Sequence, residues 1–213
     1  YGLYQSHENG KFLVFDLGGG TFPVSILELY DSIIEVRAVA GDNFLGGEDF
    51  TRVLEQMFFD KHKDLDKDKL SFQNLRHITK QAENCKKGFS ESNTSKMICN
   101  INEQTYELDV TLEAYELACE DLLDKIKQPI KRSLADAHIK IKDIDKVVLV
   151  GGATKLSFVR KFVGKLFRTF PDTNINPDEA VALGAAVQGA MKERNALIKE
   201  VILTDVCPFT LGT

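Results

Sequence analysis

The chain has 213 residues, of which 43% are hydrophobic and 28% are charged, and its formal net charge is −5. This length fits one large domain or two small ones with a sizeable core. The acidic balance, with no basic stripe, argues against a nucleic-acid-binding or membrane-surface protein. No apolar run approaches the roughly 18 to 20 residues that a membrane span requires.

The cysteines and histidines form no recognisable metal or redox motif. No two cysteines make a C-x-x-C pair, and the histidines are scattered. The residues concerned are Cys85, Cys99, Cys119 and Cys207, with His7, His62, His77 and His138. We see no signal-peptide pattern at the start of the sequence. We therefore expect reduced, mostly buried thiols in a cytoplasmic protein.

The first predicted strand, residues 12–16, ends on the carboxylate of Asp16 and runs into three glycines. Gly18 to Gly20 allow bare backbone N–H groups to approach a bound anion. Asp16 is placed to hold a metal-bound water beside that anion, and Thr21 adds a hydroxyl. A glycine-rich hairpin with a charged shoulder explains the same residues, and the stretch alone leaves both interpretations open.

Strands are predicted at residues 12–16, 21–29 and about 34–40. Tight turns between them indicate an antiparallel start to the sheet. Pro23 is unusual in this pattern because it lacks the N–H that a ladder hydrogen bond needs. We expect it at an edge strand or a bulge.

Two helices and a hairpin follow. The first helix covers about 47–62, and the second carries an apolar stripe from Leu75 to Phe89. A second face of that helix bears Glu83, Lys86, Lys87 and Ser90. The pattern alone favours a solvated face with a Glu83–Lys87 ion pair. Strands near 96–101 and 105–110 form the hairpin.

Thr111 is predicted to cap a long helix that Pro129 should kink or restart. Residues 147–150 are continuously apolar, which is typical of a central parallel strand covered on both faces. That strand runs into Gly151 and Gly152, and a helix follows. This order lets a nucleotide approach the backbone at a helix N-terminus, and a plain tight turn between strand and helix remains the alternative.

The last predicted helix opens with Asn176 as cap, Pro177 at the first helical position and Glu179 completing a capping box. Its body, residues 180–190, consists almost entirely of small residues. Close packing against the sheet would explain them without any ligand. Asp178, in the first turn, is interpretable as an acid that complements the helix dipole.

Four motifs in a fixed order resemble the second lobe of the ATPase domain of Hsp70 chaperones. They are DLGGGTF at 16–22, LGGEDF at 45–50, VLVGGAT at 148–154 and INPDEAVA at 175–182. The stretch VILTDVCPFTLG at 201–212 resembles the family's interdomain linker and the start of its peptide-binding domain. The sequence of this stretch is most similar to that of the bacterial HscC type.

The resemblance implies an α/β, actin/hexokinase/Hsp70-like ATPase fold, of which this chain would be one lobe. We expect a mixed five-stranded sheet with helices and an inserted α+β subdomain. Residues 1–45 and 120–196 would form the core subdomain and residues 46–119 the inserted one. Residues 197–213 would be the linker and the start of the peptide-binding domain.

The resemblance also implies which residues hold ATP or ADP with Mg²⁺. Asp16 would face the magnesium shell through water, and Asp16 with Thr21 would be a partial catalytic set. The residues assigned to the phosphates are Gly18, Gly19, Gly20 and Thr21. Those assigned to the adenosine and α-phosphate side are Glu83, Lys86, Lys87, Ser90, Gly151, Gly152, Ala153, Lys155 and Asp178. This assignment reverses the solvated-face interpretation of the second helix.

Two departures from the family pattern matter. Pro23 stands where the family usually has an aspartate near its ion sites, which puts cation dependence and hydrolysis rate in question. Lys155 and Lys87 stand where the family often stacks an arginine on adenine. Lysine is a poorer planar stacker, so adenine should be held less tightly.

The function implied is that of the nucleotide-binding half of a chaperone ATPase. A J-domain co-chaperone and a nucleotide-exchange factor would be its partners, and peptide clients would bind only through the peptide-binding domain. The first lobe's phosphate loop and charged residues are not among the motifs matched, so we expect the isolated chain to be catalytically incompetent. Alternatives are a sugar- or acetate-kinase-like lobe and a partner-docking module with degraded nucleotide contacts.

Overall fold

A computed structural model describes residues 9–31, 33–171, 176–193 and 202–206. The strands in these ranges are β1 (Gly10–Asp16), β2 (Phe22–Tyr30), β3 (Ile33–Asp42), β4 (Thr94–Ile101), β5 (Gln104–Thr111), β6 (Lys146–Val150) and β7 (Ile202–Thr204). The helices are α1 (Gly47–Lys61), α2 (Phe72–Gly88), α3 (Leu112–Ala118), α4 (Glu120–Asp136), α5 (Ser157–Phe167) and α6 (Ala180–Lys192). Short 3₁₀ turns cover Lys67–Lys69, Ile141–Asp143 and Gly152–Lys155.

The main sheet has the strand order β6-β1-β2-β3-β7. β1, β2 and β3 are antiparallel to one another, whereas β6 runs parallel to β1 and β7 runs parallel to β3. The prediction of a mixed five-stranded sheet with an antiparallel start is therefore confirmed. Because β1 and β6 are parallel, their carboxyl ends lie at the same end of the sheet.

One face of this sheet carries the main core. Leu13, Phe15, Val24 and Ile26 are fully buried on it, and the rings of Phe15 and Phe22 lie 4.6 Å apart. Helix α4 packs across β2 and β3 and adds Ile126 and Ile130 to the same cluster. Burial largely alternates along β2 and β3, as expected for strands that pack a helix on one face.

The segment between β3 and α4 folds against this core through Tyr115 of α3. Its side chain is fully buried, and its hydroxyl donates to the Phe50 carbonyl at 2.8 Å. The ring lies 5.2 Å from Phe89 and 5.5 Å from Phe158 of α5. Burial raises the pKa of the Tyr115 hydroxyl, which keeps it a neutral donor. The division into core and inserted subdomains remains a prediction.

Pro23 does not lie on an edge strand. β2 has neighbours on both sides, and Pro23 pairs with Gly41 of β3. The pairing of β2 with β1 ends at Val24, so Pro23 lies just beyond it. The irregularity in this strand is between Ile26 and Leu27 instead. A proline near the start of a strand is tolerated where the ladder on one side has already ended.

The predicted long helix from Thr111 breaks at Cys119 rather than at Pro129. Thr111 caps α3, as predicted, by accepting a hydrogen bond from Ala114 N at 3.2 Å. Helix α4 then continues through Pro129, which is buried with Ile126 and Ile130 on either side of it. The burial of this apolar face outweighs the loss of one helical hydrogen bond.

Strand β6 is buried along residues 147–150 but lies at an edge of the sheet rather than at its centre. A continuous apolar run predicts that both faces of a strand are buried, but it does not predict how many strands lie beside it.

The last helix begins later than predicted. Asn176 Oδ1 accepts from Asp178 N at 3.1 Å, but residues 177–179 form a turn and α6 starts at Ala180. None of its residues is buried against the described part of the chain, so close packing on the sheet does not explain its small side chains.

The tail adds a strand to the sheet, since Ile202–Thr204 pairs in parallel with the β3 edge. The cysteines agree with expectation where they are described. Residues 194–201 and 207–213, with Cys207, lie outside the described ranges. Cys85, Cys99 and Cys119 are free and buried. No helix within the described ranges is both long and apolar enough to cross a membrane.

Candidate functional site

Two glycine turns lie side by side at the carboxyl ends of β1 and β6. Asp16 is in register with Val150, and Leu17 N donates to the Val150 carbonyl at 2.9 Å. Ala153 N donates to the Leu17 carbonyl at 3.3 Å. The turn after Asp16 and the turn after Val150 therefore form one continuous backbone surface.

The start of α1 holds the first of these turns. Gly47 N donates to the Gly18 carbonyl and Glu48 N donates to the Gly19 carbonyl, both at 2.7 Å. In a trans peptide the N–H points opposite to the C=O, so the amides of Gly19 and Gly20 face away from α1. Neither amide has a hydrogen-bond partner among the described residues. Two free backbone donors are therefore left on the side of the turn that faces away from α1.

The glycines of the site differ in how much space surrounds them. Gly151 has φ +86°, and a Cβ there would lie 2.3 Å from the Leu17 carbonyl oxygen. A Cβ on Gly46 would lie 2.5 Å from the backbone of Gly19 and Gly20. At Gly19 and Gly20 themselves a Cβ would meet nothing within 4 Å. These two positions face open space, and neither has a positive φ, since Gly151 is the glycine with positive φ in the described chain.

Asp16 stands directly behind the junction of the two turns. A Cβ on Gly151 would lie 2.9 Å from Asp16 Oδ1, so the carboxylate closely abuts the second turn. Burial raises the pKa of the Asp16 carboxyl. No hydrogen bond or ion pair to its side chain is found within the described residues. A half-buried carboxylate without a partner fits the chemistry of a cation site.

The residues present fit a magnesium ion only in part. No group of three or more His, Cys, Asp or Glu side chains suited to a metal occurs in the described ranges. Mg²⁺ is usually held by one or two carboxylates together with phosphate oxygens and water. Asp16 can therefore supply the protein's share of such a shell, and a phosphate ligand would have to supply the rest.

Helix α2 presents the predicted second face to the site. Lys86 Nζ lies 2.6 Å from Glu83 Oε2, and Lys87 Nζ lies 3.4 Å from Glu83 Oε1. Thr51 of α1 donates to Glu83 Oε2 at 2.8 Å. Burial alone would raise the pKa of Glu83, but the hydrogen bonds from Lys86 and Thr51 and the two lysine charges lower it. The ion pair expected from the sequence exists, yet this face lines a cleft.

The turn after β6 brings two more predicted residues together. Lys155 and Asp178 form an ion pair, with both side chains about half exposed. Gly152 lies beneath them, because a Cβ there would lie 3.6 Å from Asp178 Oδ1. Gly151 N donates to the Pro177 carbonyl at 3.2 Å, which ties the segment before α6 to the second glycine turn.

A cleft of about 1540 Å³ connects these parts. Its walls include ten of the predicted site residues, namely Gly18, Gly19, Glu83, Lys86, Lys87, Ser90, Gly152, Ala153, Lys155 and Asp178. Asp16, Gly20, Thr21 and Gly151 are not on its walls. Asp16 and Gly151 abut at its base, and Gly20 lies against Gly46. Thr21 is exposed, and its carbonyl accepts a hydrogen bond from Gly18 N at 3.2 Å.

Sequence reasoning missed Thr51 and gave no separate role to Gly46 and Gly47. Thr51 is buried and hydrogen-bonded at the cleft wall, but nothing in its sequence context marks it. Gly46 and Gly47 were noticed only as part of a family motif. An adjacent glycine pair at a helix start, following a glycine-rich turn, was the signal that these two backbones meet.

We predict that Gly46→Ala lowers the free energy of unfolding by about 1–3 kcal/mol, because its Cβ would overlap the backbone of the first glycine turn. Gly19→Ala is the matched control and should stay within about 0.5 kcal/mol of the parent. Urea denaturation of both variants measures the difference. Equal stabilities would show that Gly46 does not pack as described.

We predict that Asp16→Asn stabilises the ligand-free chain at pH 7. A raised folded-state pKa means that stability is lost as pH rises above the ordinary value of 3.8. The asparagine removes that loss, and its benefit should disappear below about pH 3.8. Thermal unfolding between pH 3 and 7 tests this. Asp60→Asn is the control of opposite sign, because hydrogen bonds from Lys63 and Gln56 lower the pKa of Asp60. An equal gain in both variants would contradict the prediction.

Comparison with known proteins assigns the family. Residues 1–213 match the sequence model of the family described as Hsp70 protein. The chain is 38% identical to the chaperone protein DnaK of Thermosipho africanus (strain TCF52B), over 100% of this chain and 37% of that protein. It is 40% identical to the mitochondrial heat shock 70 kDa protein of Pisum sativum, over 100% of this chain and 32% of that protein. It is also 40% identical to the chaperone protein DnaK of Deinococcus deserti, over 100% of this chain and 35% of that protein. The chain thus spans about a third of the length of these relatives, and it belongs to the Hsp70 family, with the actin-like fold of that family's ATPase domain.

Proposed function

We propose that this chain is the nucleotide-binding half of an Hsp70-type chaperone ATPase. The observation that carries the proposal is the meeting of the two glycine turns at the base of one cleft. The free amides of Gly19 and Gly20 suit an anion, and the polar face of α2 stands opposite. Polyphosphate and adenosine are the two halves of a ligand that such a cleft would accommodate.

The phosphates belong on the first turn. Gly19 and Gly20 offer backbone N–H groups and Thr21 a hydroxyl, while Asp16 would hold Mg²⁺ through water. The N–H of Gly18 already donates to the Thr21 carbonyl, so Gly18 would line the phosphate site without donating to it. A bound magnesium ion would neutralise phosphate charge. The protein's own part is to fix Asp16 against Gly151 and to keep the approach to Gly19 free of side chains. Backbone donors positioned in advance stabilise charge at little reorganisation cost.

The adenosine belongs between α2 and the second turn. Glu83 and Lys87 line the cleft with Ser90, whose hydroxyl donates to the Lys87 carbonyl at 2.7 Å. Gly152, Ala153 and Lys155 form the facing wall with Asp178. Lys155 would leave Asp178 or share it when adenine binds. This cost, together with the weaker stacking of lysine, makes the predicted affinity low.

Coupling to a peptide-binding domain would run through the tail. The pairing of β7 with the β3 edge supports this, because it leaves Ile202 and Leu203 exposed. In such a protein a J-domain co-chaperone and a nucleotide-exchange factor would act on the nucleotide cycle, in the cytoplasm. The similarity of residues 201–212 to the HscC type supports the assignment of this chain to a specialised bacterial member of the family.

A second candidate function is a partner-docking module with degraded nucleotide contacts. The closed Lys155–Asp178 pair favours it, because a charge already satisfied is less available to a ligand. The sugar- or acetate-kinase-like alternative has no comparable support, since the whole chain matches the Hsp70 family.

We predict that the chain binds ADP and ATP weakly and that Lys155→Ala lowers the affinity roughly fivefold. This factor corresponds to the loss of about 1 kcal/mol from one partly exposed charged contact. Isothermal titration calorimetry measures the dissociation constants. Lys161→Ala, an exposed lysine of α5 away from the cleft, is the control and should bind like the parent. Absence of nucleotide binding in the parent would favour the docking-module alternative.

We predict that the isolated chain hydrolyses ATP no faster than a heat-treated sample. Phosphoryl transfer needs positioned charge on all sides of the γ-phosphate, and the base of this cleft offers one carboxylate. Phosphate release under steady-state conditions measures the rate. Turnover above the heated sample would refute catalytic incompetence and would leave the binding proposal standing.

A further inference from the structure

The side chain of Arg160 reaches back from the first turn of α5 to the 3₁₀ turn that precedes this helix. Its Nε donates to the Thr154 carbonyl at 2.9 Å, and its backbone N donates to the Leu156 carbonyl at 3.2 Å. The Nε–H lies in the plane of the guanidinium group, so the bond to Thr154 has a defined direction. Arg160 is therefore held in α5 by its main chain and attached to the Gly152–Lys155 turn by its side chain.

Thr154, which accepts this bond, is only 1% exposed. Its N–H and its hydroxyl both donate to the Gly151 carbonyl, at 3.1 Å and 2.7 Å. A carbonyl oxygen has two lone pairs and can accept both. With the bond from Arg160 to its own carbonyl, every polar group of Thr154 has a partner within the protein.

Thr154 and Arg160 support the cleft wall from the side away from the cleft. Gly152, Ala153 and Lys155 lie on the wall, whereas Thr154 and Arg160 do not. The Thr154 carbonyl belongs to the planar peptide group that leads into Lys155. A donor that fixes this carbonyl also fixes the direction in which Lys155 leaves the turn.

The other attachments of this turn act at different points. Ala153 N donates to the Leu17 carbonyl at 3.3 Å, which holds the beginning of the turn. The ion pair of Lys155 with Asp178 joins two half-exposed side chains, and such pairs contribute little. The hydrogen bond from Arg160 is therefore the contact that acts directly on the last peptide group of the turn.

We propose that Arg160 is a positioning residue for the adenosine side of the cleft, which sets the place of Lys155 through the Thr154 carbonyl and does not contact the nucleotide. The proposal rests on the proposed function, because it treats Lys155 as a nucleotide contact. The effect belongs to the Nε–H donor and not to the positive charge of the guanidinium group.

Three variants of Arg160 separate the donor from the charge. The amide nitrogen of glutamine is as many bonds from the backbone as arginine Nε, so Arg160→Gln keeps the donor and removes the charge. Arg160→Met removes both the donor and the charge. Arg160→Lys keeps the charge but has a methylene group at the position of Nε.

Hydrogen exchange of the ligand-free chain tests the anchor without nucleotide. The amides of Thr154 and Leu156 donate to carbonyls within the turn. They should exchange roughly fivefold faster in Arg160→Met and in Arg160→Lys, because one hydrogen bond that holds the turn is lost. Arg160→Gln should retain the protection of the parent. Lys161→Met removes an exposed charge from the next position of α5 and should leave both amides unchanged.

The affinity for ADP, measured by isothermal titration calorimetry, provides the functional test. Arg160→Met and Arg160→Lys should bind ADP roughly fivefold more weakly than the parent, and Arg160→Gln should bind like the parent. Because Arg160 acts through Lys155, Lys155→Ala should weaken binding roughly fivefold in the parent but less than about twofold in Arg160→Met. Two independent contacts would instead give effects that multiply.

Three outcomes would overturn the proposal. The first is unchanged exchange of the Thr154 and Leu156 amides in Arg160→Met. The second is an equal loss of ADP affinity in Arg160→Gln and Arg160→Met, because the charge would then be what the ligand needs. The third is multiplication of the Lys155→Ala and Arg160→Met effects. If the parent binds no ADP, the proposed function fails, and the exchange rates still decide whether Arg160 fixes the turn.

Discussion

The parallel pairing of β1 with β6 is the constraint on which the site depends. It sets Asp16 beside Val150 and links Leu17 to both the end of β6 and Ala153. Two turns that are far apart in sequence become one surface because parallel strands end together. The other parts of the site lie around this junction, so a shift of register between β1 and β6 would separate the two glycine turns.

The beginning of α1 gives this junction its chemical character. A helix N-terminus often binds anions directly, but here its first amides are used on the carbonyls of Gly18 and Gly19. That use turns the amides of Gly19 and Gly20 toward the open side. The helix therefore acts indirectly: its first amides hold the glycine turn, and the turn leaves its own amides free. The tight contact of Gly46 with Gly20 shows how closely the two backbones must approach.

Charge is distributed unevenly around the cleft. Asp16 at the base has no partner among the described residues and a raised pKa, whereas Glu83 on α2 is surrounded by cationic and hydroxyl donors that lower its pKa. The unpaired Asp16 carboxylate is energetically costly without a cation, whereas the Glu83 carboxylate already has its hydrogen-bond partners. We propose on this basis that the base of the cleft suits a cation with its anion, whereas the charged groups of the α2 wall already have partners within the protein.

The sequence by itself determined the strands β1 to β6, the helices α1, α2 and α5, and ten of the residues that line the cleft. Periodicity sufficed for the elements, and the ordered motifs selected those ten residues, whose role in binding stays a prediction. Tertiary structure alone decided the break at Cys119, the edge position of β6, the neighbours of Pro23 and the hydrogen bond from Arg160 to the Thr154 carbonyl. The reason is that a periodic pattern records which side of an element is buried, whereas partners and hydrogen-bond acceptors come from segments distant in the chain.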